Sequence, residues 1–132
     1  MITSSRFRPV PLAAGLCLAA LAFTGTGCTQ VQVAPDIAGE YRLGELQVFS
    51  EHGFAATYEA AKRGLKDAGL FQTRDERKIV EAELNGRDAA DTLVIVKIKE
   101  LAPNRTSVKI RYGLAGNLAL AQKLYQAIER HY

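Results

Sequence analysis

The side chain whose neighbours best equip it for chemistry is the thiol of Cys28. It follows the small residues Thr24-Gly25-Thr26-Gly27, and ahead of these come an apolar run from Val10 to Phe23 and the cations Arg6 and Arg8. A short cationic region, an apolar stretch and small residues are, in that order, the parts of an export signal. A cysteine at the cleavage point adds a thiol that can take lipid, so that palmitate or a related acyl chain would hold the mature chain on a membrane. Cys17 lies within the apolar run behind Leu16, the wrong surroundings for processing, and should leave with the signal. The remaining chemistry is sparse. His52 and His131 are the only histidines, and no HExxH or His/Cys grouping accompanies them, so no metal site is expected. Asp75-Glu76 and Asp88/Asp91 stand among basic neighbours in expected turns and read as solvated charges rather than a paired general acid and base. Ser50, Thr106 and Ser107 have no histidine spaced to activate them. The run Gly113-Leu-Ala-Gly116-Asn117 sits where a helix start could hold an anion, but it lacks the glycine spacing of a phosphate cradle and reads as a tight turn. No catalytic residue and no cofactor is expected, and Cys28, as a lipidation site, is the single candidate site residue.

The small residues before Cys28 resemble a lipobox, the cleavage motif of bacterial lipoproteins, with Gly25 where an aliphatic residue is usual. A permanent membrane helix is the competing reading and fails on length. Spanning hydrocarbon takes about 20 apolar residues, whereas Val10–Phe23 offers 14, interrupted by Pro11. Phe7 separates the two arginines, so there is no twin-arginine pair and export of the unfolded chain is implied. Thr29 rather than Asp after the cysteine favours, by lipoprotein sorting rules, the periplasmic leaflet of the outer membrane over the inner membrane. Removing residues 1–27 takes Lys plus Arg from 17 to 15 against 14 acids, a net charge of +1. The pI of about 9.0 is thus no sign of nucleic-acid binding, which would need a basic stripe. With Cys28 lipidated, no thiol remains for a disulfide, and stability must come from packing.

The periods of the chain divide it into a signal peptide (1–27), a lipid-anchored tether (28–40) and one α+β domain (41–132). Residues 29–40 show no sustained period and contain Pro35 and Gly39, which suits a tether. A strand is expected over Tyr41–Phe49, with Gly44 as a bulge. Phe54, Tyr58, Ala61, Leu65 and Ala68 fall at helical spacing up to Gly69, with Glu59, Lys62, Arg63 and Lys66 facing water. Val80, Ala82 and Leu84 alternate with Glu81 and Glu83 up to a turn opened by Asn85-Gly86. Val94, Val96 and Ile98 alternate with Ile95, Lys97 and Lys99, and after Pro103-Asn104 the residues Val108, Ile110 and Tyr112 alternate with Lys109 and Arg111. Leu118, Ala121, Leu124, Tyr125 and Ile128 make the last helix, with Asn117 as its cap and Leu114 packing back on its first turn. The expected fold is a four-stranded antiparallel sheet with two helices on one face, in the order β-α-β-β-β-α.

Several of these residues together resemble the DUF3568 group of small bacterial lipoproteins. The likeness rests on Val108-Lys-Ile-Arg-Tyr-Gly-Leu-Ala-Gly-Asn117 with the helix carrying Leu124, Tyr125 and Ile128, and on Tyr41, Gly44-Glu-Leu, Tyr58, Gly69-Leu and Asn85-Gly-Arg. It spans residues 38–130. Asn117 stands where the family is expected to prefer Asp, and either residue caps a helix. The resemblance implies a fold and carries no activity. Two functional expectations follow from the chain as a whole. The first is a non-catalytic domain of the cell envelope, lipid-anchored through Cys28, that binds another envelope protein or a peptide through the face or edge of its sheet, with Leu93 and Ile95 as exposed apolar contacts. The alternative is a periplasmic carrier holding a small ligand or lipid between sheet and helices, which would require a pocket of a few hundred Å³.

Overall fold

Strict alternation governs the middle of the molecule: Val94, Val96 and Ile98 are buried, while Lys97 and Lys99 between and beside them are exposed. The computed structural model describes residues 27–132, so residues 1–26 of the expected export signal, Cys17 among them, lie outside the described residues. The described chain runs β1 (Thr29–Ala34), β2 (Ile37–Arg42), β3 (Glu45–Ser50), α1 (Phe54–Asp67), β4 (Phe71–Arg77), β5 (Glu81–Arg87), β6 (Leu93–Ala102), β7 (Arg105–Tyr112) and α2 (Leu118–Glu129). The strands form one sheet in the order β1-β2-β3-β7-β6-β5-β4, with every neighbouring pair antiparallel. Both helices pack on one face, α1 mainly over β4 to β6 and α2 over β7, β3 and β1. The class is therefore α+β with two helices on an antiparallel sheet, as the sequence implies, but the sheet has seven strands and not four.

The helix boundaries follow from local chemistry. Phe54, Tyr58, Ala61 and Leu65 form the buried stripe of α1. The helix ends as Gly69 turns left-handed (φ 73°), the amides of Gly69 and Leu70 reach back to the carbonyls of Lys66 and Leu65, and Leu65 and Leu70 are both buried. Ala68, at the cap, is exposed and drops out of the expected stripe. In α2 the Asn117 side chain accepts a hydrogen bond from the Leu120 amide at 3.1 Å, as a cap should. The two helices meet closely at Gly64, where a Cβ would stand 2.6 Å from Ile128 Cγ1. Beneath them Leu46, Val48, Leu84, Val94, Val96, Val108 and Ile110 are sealed from water by Leu124, Tyr125 and Ile128. Each such aliphatic side chain contributes roughly 1.5–3 kcal/mol by leaving water.

The three extra strands correct specific readings. Residues 28–40 are not a tether: they supply β1 and the start of β2, so the folded domain begins at Thr29 rather than Tyr41. Val33 is only 1% exposed and covers Gly39, where an added Cβ would meet Val33 Cγ2 at 2.9 Å. The expected strand over Tyr41–Phe49 is two strands meeting at Leu43-Gly44, both with positive φ (51° and 79°), so Gly44 is a turn residue and not a bulge. Asp75-Glu76 lie not in a turn but in β4, a strand exposed along its whole length. Asn85-Gly86 sit inside β5 opposite Ile95 and Val94, and the turn begins at Asp88. Val80 precedes β5 and is 45% exposed, and Leu114 is 91% exposed rather than packed on α2.

Candidate functional site

The helices leave the second face of the sheet bare. The pairing register sets its side chains in rows that cross the strands, the longest being Gln30, Glu40, Gln47, Lys109, Lys97, Glu83 and Glu76. A second row sets Phe49, Ser107, Lys99 and Glu81 beside it. A groove of about 410 Å³ runs over these rows, with Gln47, Ser107, Lys97, Lys99 and Lys109 on one side and Glu76, Glu81 and Glu83 on the other. Lys97 faces Lys109 directly across two strands, a like-charge pairing that costs stability. Part of that cost is relieved, because Lys109 Nζ lies 4.0 Å from Glu45 and Glu83 faces Lys97 from β5; in the next row Lys99 Nζ lies 3.5 Å from Glu81. Lys97 forms no ion pair among the described residues. Gln47 donates to Ser107 Oγ at 3.1 Å, fixing a polar floor beside the lysines. Such a face offers ammonium donors to carboxylate or phosphate oxygens at its centre and carboxylates to a cation at its flank.

The chemistry-bearing residues of the sequence are scattered around this face. Cys28 is exposed, immediately before β1. The ring of His52 stacks on Tyr132 with centroids 3.9 Å apart, and His131 pairs with Asp67. Ser50 accepts from the His52 amide at 3.3 Å, and Thr106 donates to the His52 carbonyl at 2.8 Å, so these hydroxyls fix the backbone and do not meet an imidazole. Gly113 and Gly116 both adopt positive φ, which makes the run between them a turn. Among the described residues no three His, Cys, Asp or Glu side chains come together in a metal-binding arrangement. Leu93 and Ile95, expected as exposed contacts, are half-buried; Ile95 lies between Arg111 and Asn85 in the cross-strand register.

Two acids have structural partners that sequence spacing does not announce. The Tyr58 hydroxyl donates to both oxygens of Asp75, at 2.6 and 2.8 Å, and that of Tyr112 donates to Asp88 at 2.9 Å. Burial, then the hydrogen bond to the neighbouring carboxylate, pushes each of these phenols up to about 12. Asp88 is held below its usual value, first by the Thr92 amide and also by Tyr112 and the Ala90 amide. These pairs pin a strand and a loop to the helix side of the sheet. The cationic row was partly readable, since Lys97, Lys99 and Lys109 alternate with apolar residues in the sequence. What could not be read is the bulge between Glu100 and Ala102, which decides that Lys97 meets Lys109.

Among the described residues the architecture is a two-layer α+β domain with one sheet face covered by helices and one face open. The chain belongs to the family described as "Protein of unknown function (DUF3568)", which it matches over residues 11–131. No curated protein matches it.

Proposed function

We propose that the protein is a non-catalytic, lipid-anchored module of the bacterial cell envelope that binds another envelope protein through the open face of its sheet. The anchor is acyl lipid on Cys28, and Thr29 behind it favours the periplasmic leaflet of the outer membrane. The observation that carries the binding role is the groove over β7, β6 and β5, where Lys97 stands directly against Lys109 on one side and Glu83 on the other and closes no ion pair among the described residues. A like-charge pair that serves no purpose in folding is relieved when a partner brings an acidic group. The filled layer between sheet and helices counts against the carrier alternative, since Leu46, Val96 and Ile110 are fully buried there against Leu124 and Tyr125.

A photoreactive side chain at Lys99, inside the groove, should yield a discrete protein adduct in intact cells, and one at Arg63 on the outer side of α1 should not. Equal labelling from both positions would overturn the reading of the face. For the anchor, Cys28→Ser should abolish incorporation of labelled palmitate and release the domain from membranes. Equal incorporation into both proteins would remove Cys28 as the site.

A further inference from the structure

Because the strands alternate in direction, the end of the sheet where β1 begins is also the end where β2 turns into β3 and where β7 finishes. Thr29 pairs with Tyr41, which sets Cys28 beside Arg42, one residue from the turn at Leu43-Gly44. That turn is locked to the loop after β7: a Cβ on Gly116 would stand 2.3 Å from the Gly44 carbonyl oxygen. Two leucines project from the locked loops into solvent, Leu43 at 82% and Leu114 at 91% exposure. Folding has no use for either. A hairpin turn with positive φ at both central residues favours Asn, Asp or Gly, yet Leu43 holds φ 51° and leaves its side chain in water.

The missing tether gives these leucines a position relative to the anchor. With residues 28–40 unstructured, the domain could stand away from a bilayer. The sheet instead begins at Thr29, the residue after Cys28, so acyl chains on Cys28 leave no slack. We infer that Leu43 and Leu114 sink into the bilayer interface beside the lipid on Cys28, with Arg42 against anionic headgroups, so that the domain stands end-on with its strands leading away from the membrane. This inference rests on the proposed lipidation of Cys28. The far end of the sheet also bears exposed apolar residues, Ile79 at 92% and Leu101 at 49%. It lies about 30 Å away, the length of the ten-residue strand β6 at its rise per residue, and should stay in water.

The chain contains no tryptophan, so a single introduced indole reports its own surroundings. Full-length Leu114→Trp, Leu43→Trp and Ile79→Trp proteins would be extracted from bacterial membranes and reconstituted into phosphatidylcholine and phosphatidylglycerol vesicles containing brominated lipid. The N-terminal peptide of each would be weighed by mass spectrometry. The expected result is an acylated Cys28 peptide, at least about twofold quenching at positions 114 and 43, and none at 79. An acylated peptide with unquenched indoles at 114 and 43 would overturn the end-on docking and leave the anchor standing. A Cys28 peptide without lipid would overturn both. Shielding at 114 that persists without vesicles and grows with protein concentration would mean that a second copy of the chain covers the patch, which also overturns the inference.

Discussion

The two edges of the sheet are finished by different physics. At β1 the strand is uncharged, Val33 is buried against the core, and the carbonyls of Gln32 and Val33 accept from the side chains of Gln122 and Gln126 on α2 at 2.8 and 2.7 Å. At β4 no residue is buried, and the strand carries Arg74, Asp75, Glu76 and Arg77 in succession. There the attachment to α1 is polar: Tyr58 donates to Asp75, and the Arg77 guanidinium lies 4.7 Å from the Tyr58 ring centre and 5.6 Å from that of Phe54. Charge along β4 discourages another chain from adding to that edge, while at β1 a bulge between Gln32 and Ala34 and the two helix glutamines do the same work. An edge can thus be held by burial with uncharged amide hydrogen bonds or by ionisable side chains, and only the second kind should respond strongly to pH.

The sharpest way to break this comparison is to begin between the edges. Leu124→Ala and Val96→Ala, both in the sealed central layer, should each cost roughly 2–4 kcal/mol in chemical denaturation. Losses below about 1 kcal/mol at both would mean that the layer is not the source of stability. At the buried edge, Val33→Ala should cost about 2 kcal/mol and strip amide-exchange protection from β1 while sparing β4. At the polar edge, Tyr58→Phe should cost about 1 kcal/mol and release β4 instead. A β4 that kept its protection would show that Tyr58–Asp75 is not its fastening. The same pair carries a pH signature. The Tyr58 phenol rises from 10.0 to about 12 in the folded state, so its contribution is complete below pH 10 and disappears as pH climbs through 12. Stabilities of wild type and Tyr58→Phe should therefore converge across that window, and a constant gap would refute the linkage. The smallest effect is expected at Phe71→Ala, within about 0.5 kcal/mol, because that ring is 77% exposed.

The same contrast explains what could be read from the sequence. The central strands were legible because one apolar face alternates with Lys97, Lys99, Lys109 and Arg111, and both helices because their stripes end at Gly69 or begin at Asn117. In β1 the alternation of Gln30, Val31, Gln32 and Val33 was present but brief, and Pro35 and Gly39 nearby masked it. In β4 there was nothing to read: Phe-Gln-Thr-Arg-Asp-Glu-Arg has no apolar period, since the strand owes its place to pairing with β5 and to Tyr58, a residue 17 positions from Asp75. The Leu43-Gly44 turn is hidden for a related reason, because leucine is not a residue that advertises a left-handed bend. The open-face row was half legible, its side chains from the alternation and its register only from the fold.

The strand order also separates what the chain can build early from what it must build late. β1 to β3 and β4 to β7 are each runs of neighbours in sequence or nearly so, but they join at a single seam where β3 pairs with β7, and Gln47 meets Ser107 across 60 residues. A chain made from its N-terminus therefore produces β3 with one side unpaired and must hold it so until β7 has emerged. Closing that long loop comes before its contacts can repay it, so the seam is expected to close last. Until then the apolar side of Leu46 and Val48 is the surface on which a chaperone would have most to gain.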